Sequence, residues 1–356
     1  MKVLMVGVDK TSVGGMLTVI NNYLNNKEFC KQTHLKYIPT VIRANKLVKI
    51  ITFIKKIPLI KRTIKKDSID IVHVHMAERG SVFREGYVIH LAKKMGCKTV
   101  IHMHGAKIED WYNNQGKFVQ KIVRNIFNSA DCMLVLGERW KPFMVSVMGE
   151  ENEAKIKVLH NAVKVPNTNL YNPNAKNILF YGMLINRKGI DDLLKSFKDI
   201  MFQLPTDVNL VLYGDDHDSS EKIQDKIHRF DLEKRVKYQG WLTSKNREKV
   251  FKNTMINVLP SYNEGLPMTI LESMSYGIPN VSSNIAAVPE AIKNGVNGYL
   301  ITPGDTQDLE NKMLYLIKHG DVRRKISNEA YETVKKEFSL QNHFKKLIAI
   351  YESIIK

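Results

Sequence analysis

The feature that most constrains this 356-residue chain is an alternation of strand-like and helix-like segments that runs through it twice. Short runs rich in valine and isoleucine are typical of buried parallel strands, and amphipathic segments of helix length separate them. The runs of the first half lie at 2–7, 69–75, 98–103, 132–136 and 156–159. The alternation then pauses and restarts, with runs at 178–182, 208–213, 236–239, 256–259, 279–282 and 298–301.

The pause at 163–177 is rich in proline and asparagine and marks a linker. Alternation on both sides of it predicts the α/β class, with two Rossmann-like domains of doubly wound parallel sheet facing across a cleft. We assign residues 1–165 to the first domain and 166–337 to the second. The remaining segment, 338–356, is expected to form a helix that packs back on the first domain. Ligands are expected at the carboxyl ends of the strands, in the crevice between the domains.

The positive charge of the chain, +18 in total, is concentrated in its first half. Residues 1–165 carry 28 basic and 13 acidic side chains, whereas residues 166–356 carry 26 and 23. A surplus confined to one half predicts an anionic partner for that half, either nucleic acid or a membrane surface.

The most basic segment, 43–66, carries nine lysines and arginines and no acidic residue. On a helix, its apolar residues from Leu47 to Ile57 fall on one broad face, and Pro58 predicts a bend or a break. A solvated helix face, nucleic-acid binding and binding to anionic lipid all fit this composition. We favour the lipid, because no nucleic-acid-binding motif accompanies the charge and each basic side chain near an anionic membrane adds about 1 kcal/mol.

Missing motifs narrow the function further. The sequence has no Walker P-loop, G-x-G-x-x-G, H-E-x-x-H or G-x-S-x-G, which argues against P-loop ATPases, standard dehydrogenases, zinc proteases and α/β hydrolases. Its three cysteines, Cys30, Cys97 and Cys132, are too few and too scattered for a disulfide framework or a metal site. No apolar run approaches the ~18 residues that cross a bilayer, and no secretory signal is found. These observations predict a soluble protein of a reducing compartment.

The segment 260–279, PSYNEGLPMTILESMSYGIP, carries the strongest chemical signal. Glu264 lies in the loop after a predicted strand, and Glu272 lies one turn into the helix that follows. A helix N-terminus binds phosphate, and a carboxylate accepts hydrogen bonds from paired sugar hydroxyls. A phosphate site between two such carboxylates suits a sugar nucleotide, although a plain loop-to-helix junction with surface glutamates has the same spacing.

This segment resembles the signature of the GT-B glycosyltransferases of family 4, retaining enzymes of the kind found in bacterial polysaccharide biosynthesis. The signature is E-x7-E within P-S-x-x-E-G-x-P, followed by x-G-x-P, and its fixed residues all stand here. Further similar motifs, in the same order along the chain, are VGGM (13–16), VHVH (72–75), HMHG (102–105), HNAV (160–163), YGMLINRKG (181–189), VLYGDD (211–216), YQGWL (238–242) and NGVNGYLITPGD (294–305). The resemblance covers nearly the whole chain and implies the GT-B fold.

The resemblance also implies roles for single residues. Glu264 is expected to bind hydroxyls of the donor sugar, and Glu272 to bind the ribose of the nucleotide. The backbone expected to meet the sugar or the diphosphate belongs to Gly265, Leu266, Pro267 and Met268.

The implied diphosphate clamp departs from the family pattern. Lys188, followed by Gly189, matches the family's K-G pair, but Met183 stands where the family has an arginine. Arg187 is a candidate to supply the missing charge, and a solvent-exposed side chain before a helix is the alternative. Catalysis would rest on stabilisation of the leaving diphosphate, so Lys188 and Arg187 are catalytic candidates.

The first domain contributes candidates at the ends of its strands. Gly14 and Gly15 open the first helix, where glycine lets the backbone approach a diphosphate closely. His104 resembles the family's cleft histidine, which contacts the transferred sugar, and is a catalytic candidate. For His73 and His75 a structural role is the preferred interpretation.

The second domain holds two further features. Gly240 is a candidate for nucleotide binding, and the adjacent Trp241 either flanks the base or packs in the core. The run Asp216, His217 and Asp218 matches the metal-binding D-x-D of GT-A transferases. We reject that assignment because the rest of the chain resembles GT-B enzymes and Asp218 is placed to cap a helix. No metal and no cofactor are expected, with the nucleotide sugar as co-substrate.

The resemblance implies a retaining transferase, and we expect it to move a hexosyl group from a UDP- or GDP-linked sugar to a hydroxyl of a lipid-linked glycan in cell-surface polysaccharide assembly. The expected partners are the nucleotide sugar, the lipid-linked saccharide acceptor and an anionic membrane surface bound through 43–66. No nucleic-acid partner is expected. The expected location is cytoplasmic, on the inner face of the cell membrane. Two alternatives stay open: a GT-B sugar-nucleotide epimerase and a non-catalytic basic binding protein on a transferase fold.

Overall fold

The computed structural model describes residues 1–12, 14–217 and 219–356, which form two compact units. Unit 1 comprises Met1–Asn161 and Gln341–Lys356, and unit 2 comprises Ala162–Leu340. The polypeptide therefore leaves unit 1 once and returns to it with its last residues. Among the described residues, no helix is both long enough and apolar enough to cross a bilayer.

Unit 1 is built on six parallel strands, β1 (Val3–Val8), β2 (Lys36–Val41), β3 (Ile71–Met76), β4 (Lys98–Met103), β5 (Cys132–Val135) and β6 (Ile156–Val158). Their order in the sheet is β2-β1-β3-β4-β5-β6. The direction of winding reverses between β1 and β3, which makes a topological switch point. Ligands of such sheets bind beyond the carboxyl ends of the strands at this point.

The helices of unit 1 that connect these strands are α1 (Gly15–Asn25), α2 (Lys27–Gln32), α3 (Lys46–Asp67), α4 (Gly80–Lys94), α5 (Ile108–Asn113), α6 (Lys117–Ser129) and α7 (Lys141–Met148), with 3₁₀ turns at Glu138–Trp140 and Glu150–Lys155. Apolar strand residues such as Leu4, Val72 and Ile101 are fully buried between the sheet and these helices. Their burial is the main stabilising contribution of the core.

Helix α3 coincides with the basic segment of the sequence. The Asn45 side chain caps its first turn by accepting a hydrogen bond from the Val48 amide at 2.9 Å. Pro58 lies inside this one continuous helix, so the predicted break is wrong. A helix-interior proline costs about 3 kcal/mol, and the burial of Ile60 and Ile64 in the following turns offsets that loss.

Unit 2 is built on a second sheet of six parallel strands, β7 (Asn177–Tyr181), β8 (Asn209–Tyr213), β9 (Val236–Tyr238), β10 (Thr254–Leu259), β11 (Asn280–Ser283) and β12 (Tyr299–Ile301). Their order is β12-β11-β10-β7-β8-β9. Two three-stranded halves thus meet at β7 and β10, as in Rossmann sheets. The switch point lies between these two strands.

The helices of unit 2 are α8 (Ile190–Ile200), α9 (Ile223–Arg229), α10 (Ser244–Lys252), α11 (Met268–Met274), α12 (Val288–Ala291), α13 (Thr306–Lys318) and α14 (Gly320–Glu337), with 3₁₀ turns at Asn186–Lys188 and Met201–Gln203. Helix α9 begins later than the sequence pattern predicts. Asp216 accepts a hydrogen bond from the Ile223 amide at 3.1 Å and so holds that first turn. Asp218, the predicted cap, lies outside the described residues.

The last helix, α15 (Leu340–Ile355), packs in unit 1. The Tyr351 hydroxyl lies 2.5 Å from His73 Nδ1, and His343 Nε2 lies 2.7 Å from the Tyr23 hydroxyl. Tyr23 and Tyr351 are fully buried. The C-terminal segment is therefore part of the core of unit 1.

Candidate functional site

Two loops of unit 2 meet at the switch point of its sheet. Because β7 and β10 are adjacent and parallel, the loops that follow them, 182–189 and 260–267, leave the same edge of the sheet. The Tyr262 amide donates a hydrogen bond to the Arg187 carbonyl at 2.9 Å. In return, Arg187 Nη1 donates to the Asn263 carbonyl at 2.6 Å. Two motifs far apart in sequence thus form one cluster.

Gly189 permits this close approach of the two loops. Its φ of +69° is in the left-handed region, and a Cβ atom there would collide with the Pro260 carbonyl oxygen. The glycine after Lys188 is therefore required by the packing of the loops against each other.

Lys188 and Glu264 form an ion pair at the centre of this cluster. Lys188 Nζ lies 2.5 Å from Glu264 Oε1, and the two side chains are 13% and 6% exposed. The fully buried Ser261 also donates its hydroxyl to Glu264 Oε1, at 2.7 Å. Both bonds described for this carboxylate end on the same oxygen, so Lys188 and Ser261 fix its orientation through Oε1 alone.

Glu272 is held by a second set of contacts on the same side of the sheet. Its Oε1 accepts a hydrogen bond from Arg247 Nη1 of α10 at 2.9 Å. The hydroxyl of Tyr181, at the end of β7, lies 3.4 Å from Glu272 Oε2 and donates more closely to the Thr269 carbonyl, at 2.6 Å. Burial raises the pKa of the Glu272 carboxyl, and the Arg247 charge and the Tyr181 hydroxyl act in the opposite direction.

The backbone of Gly265, Leu266, Pro267 and Met268 joins the two glutamates. Pro267 occupies the N-cap position of α11, which is only seven residues long. Leu266 and Met268 are buried. Glu272 is the fifth residue of this short helix, one turn from its start, as the sequence predicts.

Arg187 is half-buried, and its guanidinium contacts the opposite loop as described above. Lys226 supports the same turn from α9: its Nζ lies 2.7 Å from Asp191 and 3.0 Å from the Asn186 side-chain oxygen. Its side chain is 3% exposed. A buried cation therefore anchors the loop that carries Arg187 and Lys188.

Gly240 follows β9, has a φ of +67°, and its carbonyl accepts a hydrogen bond from the Gly214 amide at 2.8 Å. The adjacent Trp241 is 43% exposed, which excludes packing in the core. Of the two interpretations of Trp241, contact with the nucleotide base stays a prediction.

In unit 1, the loop after β1 leads into α1 at the switch point of that sheet. Gly14 is the N-cap of α1 and has a φ of +109°, a conformation open to glycine. A Cβ atom on Gly14 would meet nothing within 4 Å, so the backbone here borders open space. Gly15 is the first residue of the helix. Val13, the start of the predicted motif, lies outside the described residues.

Four histidines share one face of β3 and β4. His75 and His102 are register partners, and His73 and His104 lie two residues before and after them on their own strands. The ring centroids of His102 and His104 are 4.2 Å apart, and those of His73 and His75 are 4.8 Å apart. Three of the four are fully buried, whereas His104 is half-buried.

We call His73, His75, His102 and His104 the histidine layer, and hydrogen bonds join its members to one another and to β3. His75 Nδ1 lies 2.9 Å from His104 Nε2, and the His104 amide donates to the Met76 carbonyl at 2.7 Å. Burial lowers the pKa of His73 and that of His104 to about 3, with further lowering from nearby imidazoles. The layer is therefore neutral at physiological pH.

Within the described part of the chain, two groups have the composition of a metal site. The ligand atoms of His73, His75 and His102 lie within 4.8 Å of one another, and so do those of Asp215, Asp216 and the exposed His217. Imidazole suits zinc, copper or nickel. In the second group, the Asp216 carboxylate accepts a hydrogen bond from the Ile223 amide in the first turn of α9 and forms an ion pair with Lys222.

The structure thus gathers Arg187, Lys188, Glu264 and Glu272 at one edge of unit 2. The sequence-predicted residues Gly14, Gly15 and His104 belong to unit 1. Sequence reasoning did not identify the contacts of Glu272 with Arg247 and Tyr181, since neither partner stands in the E-x7-E motif.

Comparison with known proteins finds similarity to glycosyltransferases. Residues 164–333 match the family described as Glycosyl transferases group 1. A Klebsiella pneumoniae protein encoded in a cps region, described as an uncharacterized 41.2 kDa protein, is 26% identical over 98% of each chain. The Escherichia coli UDP-Gal:alpha-D-GlcNAc-diphosphoundecaprenol alpha-1,3-galactosyltransferase is 25% identical over 78% of this chain and 73% of its own.

A solved structure shares the fold over its whole length. The Anabaena protein Alr3699/HepE, crystallised with UDP, aligns with a TM-score of 0.77 at 17% identity and covers 99% of this chain and 100% of its own. Together with the two six-stranded parallel sheets, this likeness confirms the predicted GT-B fold.

Proposed function

We propose that this chain, whose residues 164–333 form a glycosyl transferases group 1 domain, transfers a hexosyl group from a UDP- or GDP-linked sugar to a hydroxyl of a lipid-linked glycan. We assign it to family 4, with retention of the anomeric configuration, and to cell-surface polysaccharide assembly. The observation that carries the proposal is that Lys188, Glu264 and Glu272 lie at the carboxyl ends of β7 and β10. A lysine paired with one oriented carboxylate, with a second oriented carboxylate on the same loop-to-helix segment, meets the needs of a sugar diphosphate.

In this proposal the two glutamates bind the two sugars of the donor. Glu264 accepts hydrogen bonds from hydroxyls of the hexose through Oε2, since Lys188 and Ser261 both bond to Oε1. Glu272 accepts hydrogen bonds from the paired ribose hydroxyls. Arg247 favours the ionised form of Glu272, which is the form that accepts two hydrogen bonds.

Lys188 and Arg187 stabilise the leaving diphosphate. Negative charge grows on the diphosphate as the bond to the sugar breaks, so a fixed cation binds the transition state more strongly than the ground state. The bond from the anomeric carbon to the phosphate oxygen breaks, and the bond to the acceptor oxygen forms on the same face. The departing phosphate oxygen takes the proton of the acceptor hydroxyl. No protein nucleophile is invoked, and we propose that the fixed cations make a metal ion unnecessary.

Two relatives support the acceptor and the pathway. The name of the Escherichia coli relative describes an acceptor sugar on diphosphoundecaprenol, and the Klebsiella pneumoniae relative lies in a cps region. A polyprenyl-linked acceptor stays in the membrane, so an enzyme acting on it must reach the bilayer surface.

Helix α3 supplies a surface suited to that contact. Leu47, Ile50 and Ile54 are 67%, 56% and 57% exposed, on the helix that carries most of the basic segment 43–66. Exposed apolar side chains enter the lipid boundary while lysines and arginines contact anionic headgroups. We therefore propose peripheral association with the inner face of the cytoplasmic membrane.

The test is formation of a new glycosidic bond. The purified chain is incubated with UDP- and GDP-hexoses and a polyprenyl-diphosphate-linked N-acetylhexosamine, and products are identified by mass spectrometry and anomeric NMR. We expect one donor class to give a lipid-linked disaccharide with retained configuration, in the presence of a chelator. An inverted product would exclude family 4, an epimerised donor would support the epimerase, and no reaction with any donor would favour the binding protein.

Two variants tie the result to the site. Glu272→Ala is expected to abolish donor binding in a thermal-shift assay, because ribose loses its carboxylate partner. Glu248→Ala, which removes an exposed glutamate of α10, is the matched control and is expected to bind donor normally. Equal donor binding by both variants would contradict the proposed role of Glu272.

A further inference from the structure

The histidine layer of unit 1 contains one contact that reaches the half-exposed His104. His75 Nδ1 and His104 Nε2 are 2.9 Å apart, so one ring must donate the proton and the other must accept it. His75 is fully buried on β3, whereas His104 is the member of the layer that reaches the surface. The direction of this hydrogen bond decides what His104 presents at its second nitrogen, Nδ1.

The remaining nitrogen of His75 fixes that direction. His75 Nε2 is buried and has no hydrogen-bond partner among the residues that the structure describes. Buried N–H groups without an acceptor are rarer than buried lone pairs without a donor. His102, whose two ring nitrogens are both buried without a described partner, already leaves one N–H unpaired, and a proton on His75 Nε2 would add a second. This count assigns the proton of the neutral His75 ring to Nδ1, which donates it to His104 Nε2.

The neighbouring His73 follows the same rule. Its Nε2 is also buried and without a described partner, and its Nδ1 lies 2.5 Å from the Tyr351 hydroxyl. Both histidines of β3 thus have an engaged Nδ1 and an unprotonated Nε2.

We propose that His75 is a positioning residue that holds His104 as its Nδ1–H tautomer, so that His104 presents a hydrogen-bond donor to an oxygen of the bound sugar nucleotide. The role of that donor rests on the proposed transferase function and on the family resemblance, which implies that His104 contacts the transferred sugar. A His104 ring that accepts a hydrogen bond at Nε2 has its lone pair there, so the proton of the neutral ring is on Nδ1. His104 then acts as an oriented donor, and it does not remove a proton from the acceptor.

The surrounding contacts make this orientation rigid. The His104 ring lies against His102 at a centroid distance of 4.2 Å and against His75 at 5.1 Å, while its amide is bonded to the Met76 carbonyl. A donor held in place before substrate arrives needs no reorganisation during the reaction. Loss of His75 would free His104 to rotate and to exchange tautomers.

The first test reads the tautomer directly. The full chain is labelled with ¹⁵N-histidine, and long-range ¹H–¹⁵N spectra assign the protonated nitrogen of each ring. We expect the His104 signal to show a protonated Nδ1 and an unprotonated, hydrogen-bonded Nε2. A protonated Nε2 on His104 would overturn the proposal whether or not the chain is a transferase.

The second test measures turnover. His75→Leu, which cannot donate, is expected to lower kcat roughly 10²-fold with little change in donor KM. His75→Asn places an amide donor near the lost Nδ1 and is expected to restore most of kcat. Exposed His90→Asn in α4 is the matched control and is expected to be unchanged. Full kcat in a folded His75→Leu variant would overturn the proposal.

These two readouts separate the possible failures. A wild-type chain without turnover would contradict the proposed function, while the spectra would still test the tautomer. If His75→Leu fails to fold, the test uses the wild-type spectrum and the His75→Asn variant. A His75→Asn chain that has a protonated Nε2 on His104 and still keeps full kcat would contradict the positioning role.

Discussion

Lys188 and Glu264, 76 residues apart in sequence, form a 2.5 Å ion pair in which neither side chain is more than 13% exposed. Breaking a largely buried pair by removing one partner leaves the other charge uncompensated. We expect Lys188→Met to lower the free energy of unfolding by about 3 kcal/mol in urea titrations.

The matched control for this prediction is Lys198→Met, which removes the lysine of an exposed pair with Asp231. It is expected to change stability by less than about 1 kcal/mol. Adding Glu264→Gln to Lys188→Met should recover part of the loss, since no unpaired charge then remains buried. Equal destabilisation by both lysine variants would contradict this account.

Arg187 is expected to share the diphosphate with Lys188. We predict that Arg187→Ala raises donor KM about tenfold, as Lys188→Ala does. Each variant removes one cation from the diphosphate, and a tenfold loss of affinity corresponds to about 1.4 kcal/mol of binding free energy. Initial-rate kinetics over a donor range check this. Arg187→Lys separates the two contributions: it keeps the charge and loses the planar group that bonds the Asn263 carbonyl. An Arg187→Ala enzyme with unchanged donor KM would remove Arg187 from the site.

Arg247 is expected to set the pH range of donor binding. Burial raises the pKa of Glu272 and Arg247 opposes that rise, so Arg247→Ala should raise the pKa further. Because only the ionised carboxylate accepts both ribose hydroxyls, donor binding should weaken as pH falls, and it should weaken at a higher pH in the variant. Calorimetric titration between pH 5.5 and 8.5 measures this. Lys249→Ala on the same helix is the charge-matched control and should follow the wild-type curve.

Acid should destabilise unit 1 through its buried histidines. Burial lowers the pKa of His73 and His104 to about 3 and that of His343 to about 4, below the unfolded value near 6.5. The unfolded chain binds more protons between these values, so stability is full above pH 6.5 and falls as pH decreases. By pH 5.5 each such histidine contributes a loss on the order of 1 kcal/mol.

Tryptophan fluorescence can isolate this effect. The chain has three tryptophans, and Trp241→Phe leaves only Trp111 and Trp140, both in unit 1. Urea unfolding of that variant at pH 7.5, 6.5 and 5.5 should show the decline, and an added His343→Gln should reduce its slope. His90→Gln, at an exposed position, should leave the slope unchanged. A flat pH response would show that the histidines are not buried in solution.

Helix α3 is expected to bind anionic vesicles. In flotation assays, the chain should bind vesicles that contain 30% phosphatidylglycerol and should dissociate from them at high salt. It should not bind neutral vesicles. Ile50→Ser with Ile54→Ser should weaken binding by removing apolar contact, and Lys55→Glu with Lys56→Glu should abolish it. Lys245→Glu with Lys249→Glu in α10 is the control of equal charge change. Equal binding to neutral vesicles would contradict an electrostatic surface.

Most of the fold follows from hydrophobic pattern, and the exceptions have physical causes. Strand β2, Lys36–Val41, is absent from the predicted set because it lies at the sheet edge and contains Pro39, so its pattern is neither continuously apolar nor alternating. Pro58 predicts an interruption that burial of later turns in α3 prevents. In both cases tertiary packing determines the secondary structure, and a local sequence pattern carries no information about that packing.

The site divides in the same way. The glutamates and Lys188 stand in motifs whose spacing is local, so the sequence identifies them. The contacts of Glu272 with Arg247 and Tyr181 join residues 25 and 91 positions apart. Tyr181 stands in the motif at 181–189, but no local pattern connects it or Arg247 with Glu272. Only the parallel pairing of β7 with β10 brings such residues to one edge.

The return of α15 to unit 1 has a consequence for synthesis on the ribosome. Unit 2 lies in the sequence between the two parts of unit 1, so Gln341–Lys356 is synthesised after every residue of unit 2. The N-terminal sheet therefore stays incomplete, with the surface beneath Tyr351 and His343 uncovered, until those residues have been made. Unit 1 is thus the last of the two units to be completed, although most of its residues are synthesised first.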